Sequence, residues 1–282
     1  MSYKSFAVAG GLGGGKPGSA NIGNLIVKKL IKVPGVHVKV LARPDSIKSP
    51  AAKELTELGV TVVPVDYSDQ SKLVAELKDS EQTLIDAVAT GKTGVKLFVP
   101  SEFGNDTTKV EDEESPLFAK RKVQLDLEKK KIPYAVFITG PFADWVGTFA
   151  GPDKDGKIKI VGSGDEKISF TAINDAARFI AHVLTETPPS ALSNAVYRIQ
   201  GSTATLNNLA ALYQSKSAKQ IEVAHESPVT ALQRFREKGE DEFLSFLKSD
   251  WALGNGLVGE PLSNSLWDEW LPKDVREFIE RF

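Results

Sequence analysis

The group in this chain best suited to moving a proton is Lys120, downstream of Ser101 and Glu102. Leu97-Phe98-Val99 is a short apolar run halted by Pro100. Such a run reads as a buried parallel strand ending where a loop begins. Ligands of open α/β sheets collect beyond the carboxyl ends of the strands, which is where Ser101 and Glu102 fall. After the acidic run Glu111–Glu114, a solvated loop that also favours a following helix N-terminus, Ser115-Pro116 opens a helix carrying Lys120. A lysine returned to the strand ends can donate or accept a proton if partial burial lowers its pKa. The competing reading is a surface lysine in a charged helix, since Lys122, Lys129, Lys130 and Lys131 are close by.

Elements upstream must position these groups. Ser5–Gly10 is a strand ending in glycine, Gly11–Ala20 is glycine-rich, and Asn21–Ile31 has helical apolar spacing at Ile22, Leu25, Ile26 and Leu30. Strand, glycine turn and helix make a dinucleotide-binding start: the backbone approaches a pyrophosphate and the helix N-terminus offers N–H groups and positive partial charge. Gly10, Gly11, Gly13, Asn21, Ile22 and Gly23 are the candidate contacts. A P-loop is a poor alternative, because Pro17 follows Lys16 where a serine or threonine is needed. A flexible loop without ligand contacts is the stronger competitor. Gly35–Arg43 is a second strand, with Arg43 where the adenine ribose is read. An arginine there accommodates a 2′-phosphate and favours NADPH over NADH; the alternative is a solvated arginine at a strand end.

A helix over 51–58, a strand over 59–66 ending in Asp66 and a helix over 69–78 continue a regular alternation. The pattern then breaks. Glu81–Ala89 reads as the helix leading into Val95, or Thr83–Val88 serves as a strand and the next helix is lacking. Either way about one sheet element is absent around residues 79–95, and Lys96–Val99 must fill the slot beside the first strand or leave it defective. Downstream, Ile132–Ile138 is a buried strand and Asp153–Gly156 a turn between strands. Asn174-Asp175 caps a helix over 176–184, 195–199 is a strand, and 225–247 is read as continuing helix.

Val99-Pro-Ser-Glu-Phe-Gly104, then Phe118-Ala-Lys120 and Ile132-Pro-Tyr134, resemble the isoflavone reductase-like group of the NmrA-like atypical short-chain dehydrogenases, which includes phenylcoumaran benzylic ether and pinoresinol-lariciresinol reductases. The resemblance covers most of the chain. It implies a Rossmann-like, doubly wound parallel α/β sheet with a smaller C-terminal substrate-side domain. It also implies NADPH as cofactor and Lys120 as catalytic acid/base. Pro100, Ser101 and Phe103 join the cofactor contacts. The segment 140–149 would line the substrate pocket, making Phe142, Trp145 and Phe149 candidates to stack on an aromatic substrate; the bland reading is core. No tyrosine has a lysine four residues on, which fits the atypical group. The family's compact G-x-x-G-x-x-G is lengthened here between Gly10 and Asn21-Ile22-Gly23.

The expected division is 1–150 for nucleotide binding and 151–282 for the substrate side, with some segments of the latter returning to the main sheet. The function expected is NADPH-dependent reduction of a small aromatic substrate. The alternatives are a non-catalytic NAD(P)-binding regulator and a variant that has lost cofactor binding. Net charge is −2 and the pI near 6.0, so nothing draws the chain to nucleic acid or an anionic membrane. There is no cysteine, which excludes disulfides, thiolate catalysis and cysteine-bound metal. His37, His182 and His225 show no metal-ligand spacing, and no metal is expected. No apolar run is long enough for a membrane span, and Met1–Phe6 lacks a signal-peptide core, so a cytoplasmic location is expected. Nothing in the sequence sets an oligomeric state.

Overall fold

The computed structural model describes residues 2–12, 21–65, 81–91, 93–217 and 220–281. Gly13, Asp66 and the expected helix over 69–78 lie outside them. The chain folds as two compact units that interleave in sequence. The first holds 1–102, 107–137 and 176–197; the second holds 103–106, 138–175 and 198–282. The boundary expected at residue 150 thus lies inside the second unit.

The first unit opens with a parallel sheet in the order β1 (Ser5–Ala9), β2 (His37–Ala42), β3 (Thr61–Pro64). Helix α1 (Ile22–Leu30) starts where Asn21 accepts the Asn24 N–H at 3.0 Å, and it buries Ile26, Val27 and Leu30. Helix α2 (Pro50–Glu57) starts at Ser49, whose hydroxyl accepts from the Ala52 N–H, with proline in its first turn. In β2, exposed His37 and Lys39 alternate with buried Val38 and Val40, as strand periodicity requires.

The ambiguous segment is helix α3 (Glu81–Ala89), which buries Ile85 and Val88; the strand alternative at 83–88 does not form. The strand expected at 97–99 reduces to one bridge. Phe98 pairs in parallel with Tyr134, taking the Pro133 carbonyl at 2.8 Å and giving its own to Ala135 N–H at 2.9 Å. Pro100, which has no N–H to donate, ends the pairing on its side. Among the described residues β1 pairs with β2 alone, and Lys96–Val99 forms no ladder with its other edge. Helix α4 (Phe118–Lys129) buries Val123, Gln124 and Leu127, and the Lys130–Asp86 ion pair ties its end to α3. Strand β4 (Ala135–Ile138) is buried throughout.

The second unit begins with the short α5 (Val146–Ala150), not a strand, before Gly151-Pro152. Strands β5 (Ile158–Val161) and β6 (Ile168–Phe170) follow, then α6 (Ile173–Glu186), whose body from Ala176 belongs to the first unit together with α7 (Pro189–Leu192). Strand β7 (Ala195–Arg198) pairs with β4. Next come β8 (Ser202–Ala204), antiparallel to β6, and α8 (Leu206–Ser217). The helix expected over 225–247 is interrupted. His225 lies on β9 (Val223–Glu226), parallel to β5, and α9 (Pro228–Lys238) and α10 (Phe243–Asp250) are separated at Gly239, whose φ is +63°. The core gathers Phe149, Ile158, Ile160, Phe170, Leu209 and Trp251. Asp175 falls in the first turn of α6: its carboxylate accepts from the Lys273 N–H at 2.9 Å and its carbonyl from the Trp270 indole at 3.0 Å. No helix among the described residues is long and apolar enough to cross a membrane.

Lys248 on α10 is only 7% exposed and donates to the Lys159 carbonyl at 2.7 Å. Burial pushes its pKa down to about 8, while Glu226 and Asp153 pull the other way. The unfolded chain therefore holds this proton more tightly. Below pH 8 both states are charged and the cost of burial is present in full; stability rises as pH climbs from 8 towards 10.5. Lys248→Met is expected to abolish that rise, on the order of 3 kcal/mol over the whole window, in denaturant unfolding of both proteins at pH 7 and 9.5. Parallel pH profiles would refute it.

Candidate active site

At the end of β1, Gly10 has a φ of +73°, a conformation in which other residues are strained. A Cβ on Gly11 would meet Val40 Cγ2 at 2.9 Å and Val27 Cγ2 at 3.2 Å; one on Gly23 would meet the Gly10 carbonyl at 3.1 Å. The Asn24 side chain donates to the Gly11 carbonyl at 3.1 Å, binding the turn to α1. Gly10, Gly11, Asn21, Ile22 and Gly23 are thus brought together, strand end against helix start. The glycines let the strand end and the helix start pack this closely, and the N-terminus of α1, with no acidic residue in its first turn and open space at Gly10, suits a dinucleotide's phosphates, so these residues fit the group. The capping oxygen of Asn21 occupies the Asn24 N–H, one fewer donor for an anion. Arg43 stands exposed just beyond β2.

The second cluster of the first unit surrounds the 97–102 segment. Pro100 is buried and Ser101 exposed. Glu102 does not face outward, as its position at a strand end suggests; it is 1% exposed. Its carboxylate accepts from the Thr107 hydroxyl at 2.6 Å and the Gln124 amide at 2.7 Å. Gln124 also donates to Thr107 at 2.8 Å and accepts from Arg121 at 3.1 Å. Lys120 is half-buried, and its ammonium donates to the Glu102 backbone carbonyl. Arg121 approaches Glu128 at 3.6 Å, and Glu128 accepts from the Tyr134 hydroxyl at 2.8 Å. Burial, reinforced by that hydrogen bond, pushes the Tyr134 pKa up to about 12, so this phenol keeps its proton. Lys120 is therefore held against the loop and is not splayed into solvent.

Thr107 and Gln124 are not singled out by motif. Gln124 carried a signal: it shares a helical face with Lys120, Val123 and Leu127, and a polar residue on an apolar stripe needs an internal partner.

In the second unit Phe103 adopts φ 33°, and the Gly104 carbonyl that follows accepts from the Thr139 and Gly140 N–H groups at 3.2 and 2.9 Å. Asn105 donates to Asp250 at 2.8 Å and accepts from the Trp251 indole at 3.3 Å. Burial raises the Asp250 pKa against the opposing effect of its Asn255 and Asn105 bonds. Of the three aromatic candidates, Phe149 is 6% exposed and packs edge-on to Trp251 at 5.2 Å, inside the core. Phe142 is also buried and meets Trp145 edge-on at 5.5 Å; Trp145 keeps 49% of its surface exposed.

These placements separate packing from contact. Phe149→Ala is expected to cost about 3–5 kcal/mol in denaturant unfolding, and Trp145→Ala less than about 1 kcal/mol. Equal losses would refute the distinction.

Comparison with known proteins agrees with this architecture. The NmrA-like family model matches residues 17–249. Phenylcoumaran benzylic ether reductase Pyrc5 of Pyrus communis is 29% identical over 73% of this chain and 74% of its own length. Isoflavone reductase homolog P3 of Arabidopsis thaliana is 26% identical over 74% and 75%. Among solved structures, AtPrR2 with NADP+ and (+)pinoresinol superposes with a TM-score of 0.80, at 20% identity over 99% of this chain and 98% of that one. The crystal structure of an isoflavone reductase gives 0.80 at 21% identity over 99% of each. Those two likenesses are of fold: a Rossmann-like α/β architecture. With the family model spanning most of its length, the chain belongs to the NmrA-like family.

Proposed function

We propose that this chain is an NADPH-dependent reductase of a small aromatic substrate, with Lys120 as the acid/base. The observation that carries the reading is the Lys120 ammonium held on the Glu102 carbonyl just beyond the 97–100 segment. Similarity to proteins named as phenylcoumaran benzylic ether reductases and isoflavone reductase homologs supports it. When bound, NADPH supplies the hydride. Gly10, Gly11, Asn21, Ile22 and Gly23 would receive its phosphates and Arg43 the 2′-phosphate. Pro100, Ser101 and Phe103 are further cofactor candidates; Gly13 belongs to the same proposal but lies outside the described residues. Lys120 gives its proton to the substrate atom that becomes basic as the hydride arrives, and the Glu102 carbonyl keeps the ammonium aimed. Trp145, with its ring exposed and Phe142 against it, is the aromatic best placed to stack on a planar substrate. Phe142 and Phe149 would act behind it.

One observation favours a second reading without turnover, either a cofactor-binding regulator or a variant that has lost cofactor binding. Among the described residues β1 has no ladder on the edge away from β2, the side on which the lost element would lie.

Titration calorimetry separates the two cofactors. NADPH is expected to bind at micromolar concentration and NADH about tenfold or more weaker, and Arg43→Ala should erase the difference. Equal affinities in the parent protein would remove Arg43 from the assignment. Lys120→Ala is expected to lower kcat by about 10²–10⁴ while NADPH affinity holds within about threefold. Unchanged turnover would remove Lys120 from the mechanism, and NADPH binding without turnover on any aromatic substrate would select the regulator.

A further inference from the structure

We propose that Glu102 is a positioning residue: its buried carboxylate, held by Thr107 and Gln124, fixes the backbone carbonyl that aims the Lys120 ammonium. Every atom of residue 102 able to hydrogen-bond is engaged. Its N–H donates to the Pro100 carbonyl at 2.9 Å, its carboxylate oxygens accept at 2.6 and 2.7 Å, and its carbonyl takes Lys120. Pro100 restricts the chain on one side. The carboxylate anchors residue 102 to α4, the helix that also carries Lys120. Gln124 lies one turn beyond Lys120 on the same face, so the anchor and the amine share one rigid element.

The residue type follows from the donors around it. Thr107 and Gln124 both point a hydrogen at position 102. An acid supplies both acceptors; a glutamine would turn an NH2 group towards one of the two donors, and the Thr107 hydroxyl would have to rotate away to accept it. A buried charge met by neutral donors is an expensive way to pack a loop. The cost is understandable if the loop's geometry matters to the lysine. A displacement on the order of 1 Å at a reacting group can lower a rate about a hundredfold.

The catalytic consequence rests on the reductase reading; the positioning itself does not, and the test separates them. The full-length protein is labelled briefly with acetic anhydride, and Lys120 acetylation is read by mass spectrometry against Lys4 in the same sample. Glu102→Gln and Thr107→Val are expected to change the Lys120 rate at least about threefold, and Thr107→Ser, which keeps the donor, to match the parent. In the reductase assay the first two should lose about tenfold or more in kcat. An unchanged Lys120 rate in a folded Glu102→Gln overturns the proposal. If that variant fails to fold, Thr107→Val against Thr107→Ser decides by the same criterion. A labelling pattern as expected in a protein without turnover leaves the positioning in place and defeats the reductase reading alone.

Discussion

A carboxylate removed from water must find hydrogen-bond donors, and in this protein that requirement organises the first unit around Glu102. The donors come from opposite sides: Thr107 from the chain beyond the loop, Gln124 from the middle of α4. Satisfying both fixes the distance between the 97–102 segment and the helix. The same helix face presents Lys120, so the amine meets the loop carbonyl as a by-product of satisfying the acid. Further along α4, Arg121 passes the network to Glu128 and Tyr134, beside the bridge where Phe98 meets Tyr134. The single bridge at Phe98 is thus supplemented by a chain of side chains.

What could be read from the sequence was local. The β1–turn–α1 unit, β2, α2 and β3 follow from apolar spacing and from caps, Asn21 and Ser49, that act within three residues. The segment 81–89 satisfied two periods at once, and its settlement as a helix comes with burial of Ile85 and Val88, one turn apart. Leu97–Val99 looked like a strand because it is apolar, but a strand is made by its neighbour. Among the described residues only Tyr134 answers it, and no residue near 97 announces that shortfall. His225 shows the same limit: β9 exists because β5, sixty-odd residues earlier, offers an edge.

The site divides in the same way. That Gly10, Gly11 and Gly23 meet where β1 ends and α1 starts, and that Lys120 returns to the loop, was legible from residue type and motif. The roles of Glu102 and of the aromatics were not, because burial decided them. Phe149 and Trp145 share one aromatic stretch, yet Trp251 closes over the first and leaves the second in solvent. A titratable group beyond a strand suggests contact with ligand; Thr107 and Gln124 turn this one into a structural anchor.

The closing segment of the chain bears on how the protein is made. Residues 260–281 attach through hydrogen bonds to partners far back in sequence. Asp175 receives Lys273 and the Trp270 indole, Ser202 receives Val275, Arg198 receives Ser263, and Gln200 exchanges with Asn264. Val275, Phe278 and Ile279 enter the same core as Phe170 and Leu209. During synthesis the second unit therefore has an open core until Val275, Phe278 and Ile279 have left the exit tunnel. Local elements such as α1 and α2 can form long before. Translation thus runs ahead of folding for this unit, and apolar surface that is buried in the finished molecule is presented to chaperones in the interval.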